Sequence, residues 1–243
     1  MKKLKEISMF VPACNEEGNI ERMISSALSV LKRIAEKYEL IVVVYAGSTD
    51  NTISIARAIA AKNRKVKIVY QPKGRKGMGI ALRMGFESAR YNLLFYTDSD
   101  NQFDLEEIFL LLPHIHKFDI VAGYRINRQD PGYRIFMADV YNFLIRSLFG
   151  VKEIDLDCAF RLCRKEVLEN ISLNCRTGLA AAELIVKANK SGLRIKQIGV
   201  HHFSRVAGTS DVVQPLFGLI KFPKVTPILK VLKEIALLRL GVI

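Results

Sequence analysis

The stretch Thr97-Asp98-Ser99-Asp100-Asn101-Gln102 decides how this 243-residue chain is read. It follows a short apolar run, Leu94-Phe95-Tyr96, that reads as a buried parallel strand. Two carboxylates one residue apart, with an amide two further on, then fall at the strand's C-terminal edge, where open α/β sheets bind their ligands. Carboxylate and amide oxygens are hard ligands suited to Mg²⁺ or Mn²⁺, ions that usually share their shell with substrate phosphates. A solvated acidic turn capping a helix near Leu105 is the competing reading of the same residues.

The stretches on either side repeat this grammar. Ile7 to Val11 predicts a strand that runs into Pro12-Ala13-Cys14-Asn15-Glu16-Glu17. Ile20, Met23, Ile24, Ala27, Leu28, Leu31 and Ile34 then recur at helical spacing, with Asn15 or Glu16 as candidate caps. Leu40 to Tyr45 is β-branched and apolar throughout, as a strand covered on both faces should be. It ends in the turn Ala46-Gly47-Ser48-Thr49-Asp50-Asn51-Thr52, and a helix through Ala60 follows. After a third strand, Val66 to Gln71, comes Lys73-Gly74-Arg75-Lys76-Gly77-Met78-Gly79 at a helix start. Glycines that admit a ligand to the backbone, with Lys and Arg beside them, suit an anion at a helix N-terminus. A basic surface loop is the plainer alternative, and the Walker A spacing is absent. Pro12, Ser48, Asp98 and Arg125 all fall at strand ends, so a doubly wound, mostly parallel sheet brings them to one rim.

The second half is less regular. Helices are expected over Tyr133 to Phe149 and Ala180 to Lys190, and an alternating strand over Arg194 to His202. That alternation turns one of His201 and His202 inward and leaves the other solvated; a metal-ligand or base role is the alternative. Val212 to Ile243 is apolar with interspersed Lys221, Lys224, Lys230, Lys233 and Arg239, broken by Pro215, Pro223 and Pro227. Such a tail lies in a bilayer interface or packs as a terminal helical pair. The expected organisation is one domain, 1–211, with a basic amphipathic appendage, 212–243.

Composition narrows the partners. The formal net charge of +13 favours anions: nucleotide sugars, phospholipid surfaces or nucleic acid. Nucleic acid is disfavoured, because no zinc finger, RNP-like strand or helix-turn-helix pattern is present. The four cysteines have neither metal spacing nor a disulfide framework. No stretch reaches the roughly 18 to 20 uninterrupted apolar residues of a membrane span, and a cytoplasmic protein is expected.

Taken in order, seven stretches resemble the inverting GT-A-fold glycosyltransferases of family 2, and within them the dolichyl-phosphate mannose synthases and related polyprenyl-phosphate glycosyltransferases. They are Val11 to Glu16, Gly47 to Thr52, Lys76 to Leu82, Asp98 to Gln102, Gly123-Tyr124-Arg125, Asp155 to Arg161, and His202 to Ser210. The resemblance implies transfer of a sugar, with inversion, from a UDP- or GDP-sugar to a polyprenyl phosphate or a saccharide hydroxyl. It implies that Pro12, Cys14 and Glu16 line the nucleotide site and that Asp98 and Ser99 meet the ribose or base. Asp100 and Gln102 would hold Mg²⁺ or Mn²⁺, and Arg125 and Arg205 would face phosphates. Asp98, Asp100, Arg125 and Arg205 form the expected catalytic set, with Lys76 on the donor side. A hydroxyl acceptor would need a base, for which Asp155, Asp157 and Glu183 are candidates. The peripheral location expected is the inner face of the cell membrane.

Two departures stand out. Tyr45-Ala46 occupies the place where the family usually carries two aspartates, one of them a base-binding group; its position makes Tyr45 a candidate to stack on the base instead. Ala138-Asp139 stands where the synthases usually carry Ser-Arg. A catalytically impaired nucleotide-binding protein is the alternative these departures raise.

Overall fold

The structure is a computed structural model and describes residues 3–169, 171–208, 213–216, 220–223 and 225–243. Thr209, Ser210 and the 211/212 boundary lie outside them, as do the side chains of residues 209–225.

The order of elements is β1 (Leu4–Ala13), α1 (Ile20–Ile34), β2 (Ala35–Tyr45), α2 (Thr52–Lys62), β3 (Val66–Gln71), α3 (Met78–Ser88), β4 (Leu93–Tyr96), α4 (Ile108–Leu111), β5 (Ile120–Ile126), α5 (Gly132–Phe149), β6 (Arg161–Arg164), α6 (Glu166–Glu169), α7 (Leu179–Lys190), β7 (Ile195–His201), β8 (Val213–Leu216), β9 (Ile220–Pro223) and α8 (Val225–Arg239). Strands β1 to β7 form one sheet in the order β3-β2-β1-β4-β6-β5-β7, and β8-β9 is a separate antiparallel pair. All pairings in the large sheet are parallel except those of β6, which runs antiparallel to β4 and β5. The C-terminal ends of β1, β2, β4, β5 and β7 therefore share one rim with the N-terminal end of β6.

Alternation along the strands sorts the core into two layers. Ile7, Met9 and Val11 of β1 and Leu40, Val42 and Val44 of β2 face α1, α2 and α4. Phe10, Ile41, Val43, Leu94 and Tyr96 face α3, α5, α7 and α8. Helix α1 buries Ile20, Met23, Ile24, Leu31 and Ile34, each contributing about 1.5–3 kcal/mol as apolar burial. Phe10 stacks on Tyr96 at 5.2 Å and lies against Gly85 of α3, where any Cβ would sit 2.3 Å from its ring. Gly85 thereby brings α3 close to the sheet.

Several local expectations shift. Asn15 and Glu16 do not cap α1 with their side chains: the Asn15 Oδ1 accepts from the Thr49 N–H at 2.8 Å, and the Glu16 carbonyl receives the Asn19 and Ile20 N–H groups. Pro227 does not break the tail, since it falls in the first turn of α8, where a proline costs no helical hydrogen bond. Pro215 and Pro223 lie within the β8-β9 pair. Helix α8 packs by Ile235 and Leu238 into the core layer shared with α7.

Candidate functional site

Three of the expected residues, drawn from positions nearly 200 apart, meet at one guanidinium. Arg205, in the segment after β7, donates from one terminal nitrogen to Glu16 Oε1 at 3.0 Å and from the other to Asp100 Oδ2 at 3.0 Å. The segment is tied down on both sides of Arg205. Gln102 donates its amide to the Phe203 carbonyl at 2.8 Å, and the Phe203 N–H returns to the Gln102 carbonyl at 2.8 Å. Asn19 donates to the Ala207 carbonyl at 3.1 Å and to Glu16 Oε2 at 2.6 Å. Burial pushes the Glu16 carboxyl up, and Asn19 and Arg205 pull it back only in part.

The backbone at the rim is bent to match. Among the described residues, Asn15, Asn101 and Asn127 are the non-glycine residues with left-handed backbone, at φ of 56°, 58° and 48°. They follow β1, β4 and β5 respectively. Asparagine tolerates this conformation better than other side chains, and such residues concentrate where function sets the backbone. Ser99 donates to the Pro12 carbonyl at 2.7 Å, locking the β4 turn onto the end of β1. The loops after β1 and β2 are interlocked as well: the Glu16 N–H donates to Thr52 Oγ1 at 2.7 Å and the Glu17 N–H to Asp50 at 2.9 Å.

A second guanidinium lies on the β5 side. Arg125 meets Asp155 in a two-pronged pair, Nε to Oδ2 at 2.7 Å and a terminal nitrogen to Oδ1 at 2.8 Å, and its backbone N–H adds a third bond at 3.1 Å. Both side chains are only 9% exposed. Asp157, with its side chain 45% exposed, stands 3.8 Å from the same guanidinium. Arg161 builds this corner from beneath. It is fully buried and donates to the carbonyls of Leu156, Cys158 and Ala181, pinning the Asp155–Asp157 loop to α7. Sequence reasoning noted this stretch but missed the pairing and the role of Arg161; the signal available was an Asp-x-Asp with an Arg six residues beyond its first carboxylate.

Between the two arginines sits Asp98, to which no hydrogen bond or ion pair is made among the described residues. Burial, then the nearby Asp100 and Asp157 charges, push its carboxyl up to about 8. Asp157 is raised as well: the side of its carboxyl turned into the corner is desolvated and the Asp155 charge adds to this, while its other side meets solvent. Five carboxylates (Glu16, Asp98, Asp100, Asp155, Asp157) thus crowd around two guanidinium groups in a protein of net charge +13. The rim also holds several buried polar atoms with no partner: Asn19 Oδ1, Thr97 Oγ1, Tyr141 Oη and Arg205 Nε. Buried polar atoms are normally paired, so orphans gathered along one rim mark a place built for something polar.

A divalent cation fits the donor set here in part. Asp98 and Asp100 supply hard oxygens, and two carboxylates plus a diphosphate suffice for Mg²⁺ or Mn²⁺. Among the described residues no three His, Cys, Asp or Glu side chains form a ready cage. Gln102 engages Phe203 through its amide nitrogen, not through the oxygen that would meet a metal, and Asp100 Oδ2 accepts from Arg205. Of the two histidines, His202 is buried against Phe103 and Asp130, while His201 is partly exposed and bonded to Glu107 at 2.5 Å.

On the donor side the Tyr45 ring packs over Gly47, its hydroxyl accepts from the Gly74 N–H at 3.3 Å, and Lys76 Nζ lies 5.8 Å from its centroid. Cys14 is half-buried at the end of β1. Gly77 and Gly79 make close backbone approaches, but to the chain itself: an added Cβ would lie 2.3 Å from the Arg176 carbonyl and 2.0 Å from the Cys175 carbonyl. Glu183 is not at the rim. It is fully buried in α7 and accepts the Asn174 and Cys175 N–H groups and Lys187, so it is no candidate base. Asp155 is likewise committed, to Arg125. A cavity of about 260 Å³ lined by Leu4, Lys5, Asn92, Ile115, His116 and Arg164 lies at the opposite edge of the sheet, remote from this chemistry.

Comparison with known proteins identifies the family and the fold. Residues 8–172 match the model of glycosyl transferase family 2. The chain belongs to that family. An undecaprenyl-phosphate 4-deoxy-4-formamido-L-arabinose transferase from Pseudomonas fluorescens is 27% identical over 228 residues, covering 91% of this chain and 66% of its own length. A transferase of the same name from Shewanella sediminis is 28% identical, over 91% and 68%. The chain thus spans about two thirds of the length of these relatives. Glucosyl-3-phosphoglycerate synthase from Mycobacterium tuberculosis, crystallised with Mn²⁺, UDP and glucosyl-3-phosphoglycerate, superposes with a TM-score of 0.65 at 21% identity, over 84% of this chain and 73% of its own. A form of the same synthase with Mg²⁺ and UDP gives a TM-score of 0.64 at 19% identity, over the same shares. These neighbours share the GT-A fold, and this family 2 glycosyltransferase has the doubly wound sheet its strand-end motifs implied.

Proposed function

We propose that this chain transfers a sugar, with inversion, from a nucleotide-diphosphate sugar to a polyprenyl phosphate at the inner membrane face. The observation that carries the reading is the rim itself: Asp98 and Asp100 flanked by Arg205 on one side and Arg125 on the other. The mycobacterial synthase, crystallised with Mn²⁺ or Mg²⁺ and UDP, supports a donor of this class, and the names of the curated relatives support the lipid phosphate.

Breaking the bond between the sugar C1 and the diphosphate leaves negative charge on the leaving oxygens, and acceptor oxygen bonds C1 from the opposite face. A divalent ion held by Asp98 and Asp100 would neutralise that developing charge. Arg205 carries the second positive charge, on a segment that already touches Asp100, and Glu16 and Asn19 orient it. Pro12, Cys14 and Glu16, with Ser99 locking their loop, form the nucleotide wall, and Lys76 beside Tyr45 supplies positive charge next to it. Arg125 is held rigid by Asp155, and the terminal nitrogen it shares with that carboxylate stands 3.8 Å from Asp157. A phosphate acceptor is already an anion and needs no strong base. Asp157, exposed and holding its proton more tightly than an ordinary carboxyl, favours a second reading in which it takes the proton from a saccharide hydroxyl.

The surface supports a membrane contact. Helix α5 exposes Tyr133, Phe136, Val140 and Phe143 at three- and four-residue spacing, Phe136 at 68% and Phe143 at 65%. Leu229 and Leu232 are exposed on α8, which packs beside α5, with Lys230 and Lys233 between and after them. An apolar ridge bordered by lysines suits an anionic bilayer surface, and residues 212–243 act as the appendage. No helix among the described residues is long and apolar enough to cross a membrane.

Incubation with labelled UDP- or GDP-sugars, Mn²⁺ and either undecaprenyl phosphate or oligosaccharides tests the assignment. An acid-labile lipid-linked product is expected. A stable glycoside transfers the assignment to a hydroxyl acceptor, and no turnover with any donor leaves only a nucleotide-binding protein.

A further inference from the structure

We propose that Glu234, on the C-terminal helix α8, is a positioning residue of the donor site, acting through the backbone of residues 173–177. The proposal rests on the donor-side assignment of Lys76 and its loop made above.

Four successive backbone N–H groups of this segment point to two glutamates. Asn174 and Cys175 donate to Glu183 at 2.8 and 2.9 Å, and Arg176 and Thr177 donate to Glu234 at 2.8 and 3.2 Å. The Thr177 hydroxyl adds a bond to Glu234 at 2.6 Å. The carbonyls turn to the opposite side. Arg83 of α3 donates to the Leu173 and Cys175 carbonyls at 2.8 and 2.9 Å, and the Gly79 N–H donates to the Arg176 carbonyl at 3.0 Å. The first turn of α3 therefore rests on a shelf whose N–H groups at 174–177 and carbonyls at 173, 175 and 176 are all engaged. Gly77 and Gly79 are glycines because that shelf comes so close, and Gln71 fastens the loop from behind by donating to the Arg75 and Gly77 carbonyls at 2.8 and 2.9 Å. Lys76 precedes Gly77 directly, so the height of the shelf sets where its ammonium and the Tyr45 ring beside it stand.

Glu234 is the part of this support that comes from outside the domain core. A carboxylate accepts both N–H groups and the hydroxyl; an amide at the same place offers one oxygen and turns an N–H against an N–H. Glu234→Gln should lift residues 176–177 and with them the turn that carries Lys76.

The test is calorimetry of UDP and GDP, with Mn²⁺, on the full chain. Glu234→Gln is expected to weaken the diphosphate that wild type binds by about tenfold, the low end of what outer supports of a site carry. Mn²⁺ alone should bind the variant as it binds wild type, because Asp98 and Asp100 do not rest on the shelf. Arg239→Gln, on the exposed face of the same helix, should change neither. Thr177→Val, which removes only the hydroxyl donor, should weaken the diphosphate less, in the same direction, and keeps the test open if Glu234→Gln does not fold. Unchanged diphosphate affinity with a lowered melting temperature would overturn the positioning role and leave the donor site standing. A parallel loss of Mn²⁺ affinity would overturn it too, by making the effect global. Wild type binding neither diphosphate would overturn the donor site and this inference together.

Discussion

Replacing Asp155 by Asn separates a structural carboxylate from a catalytic one. The pair it makes with Arg125 is two-pronged, 9% exposed on each side, and supplemented by the Arg125 backbone N–H. Breaking such a pair by removing one partner strands a charge and costs about 3–5 kcal/mol. Asp157, at 3.8 Å, takes up part of the stranded charge, which argues for the lower end, about 3 kcal/mol. For a chain of this size that is a fall in melting temperature of about 6–12 °C. Thermal unfolding by circular dichroism reads it directly. The double variant Asp155→Asn/Arg125→Met should recover most of the loss, since replacing both members of a buried pair by apolar or neutral groups is close to neutral. The pH dependence has a fixed sign. Burial raises the Asp155 carboxyl, but the Arg125 hydrogen bond and charge outweigh it and hold it below the ordinary range. The stabilisation is present above about pH 4 and drains away as the pH falls further, and the variant's curve should lack that limb. A variant that melts within about 2 °C of wild type but has lost turnover would refute this reasoning and make Asp155 a base after all.

Other outcomes follow from the same geometry. In the metal-free protein Asp98 keeps its proton to about pH 8, so Mn²⁺ must displace it; calorimetric affinity should rise from pH 6 to pH 8, and Asp98→Asn should flatten the dependence. Because that folded-state value is raised, the metal-free protein should lose stability as the pH rises from about 4 toward 8, and added Mn²⁺ should restore it. Arg205→Ala releases Asp100 and Glu16 from their counter-charge; Mn²⁺ alone should bind several-fold more tightly, about 1 kcal/mol, while sugar transfer falls. Phe136→Ser with Phe143→Ser should abolish sedimentation with anionic vesicles and leave the unfolding free energy within about 1 kcal/mol of wild type, since both rings are exposed.

The first half of the fold was legible because each strand is short, apolar and closed by a turn. Leu40 to Tyr45 carries its assignment in its own side chains, and so does the helical spacing from Ile20 to Ile34. The rim was legible for a related reason: a parallel sheet sends every strand end to the same edge, so Pro12, Asp98 and Arg125 had to be neighbours once the strands were placed. What could not be read were the partners. Arg125 was expected to face phosphates, and no local pattern tells that Asp155 holds it, because their meeting depends on β6 entering the sheet backwards between β4 and β5. The glycines at 77 and 79 signalled a close approach correctly and its object incorrectly, since a carbonyl of the chain and a phosphate oxygen ask the same of a glycine.

The antiparallel strand also explains how so many carboxylates share one rim. Had β6 run parallel, Asp155 and Asp157 would enter from the far edge, and Arg125 would have no partner at the end of β5. Reversing β6 delivers those two acids at its start, beside Arg125, and Arg161 at its first position reaches back to fix their loop. One acid is thereby neutralised and the other is left exposed. Asp100 is treated the same way by Arg205 on the opposite side, and Asp98 is left between them. The rim is thus three clamped acids, Glu16 and Asp100 on Arg205 and Asp155 on Arg125, and two open ones. In the proposed reaction Asp98, together with Asp100, would meet the cation and Asp157 the acceptor side, while the clamped acids hold the two arginines in place for an incoming phosphate. Neutralising Asp98 and Asp157 as Asn should leave folding intact and remove transfer, whereas neutralising the clamped Glu16 and Asp155 should unfold the protein at lower temperature; the opposite ranking would mean that the roles of the two pairs are exchanged.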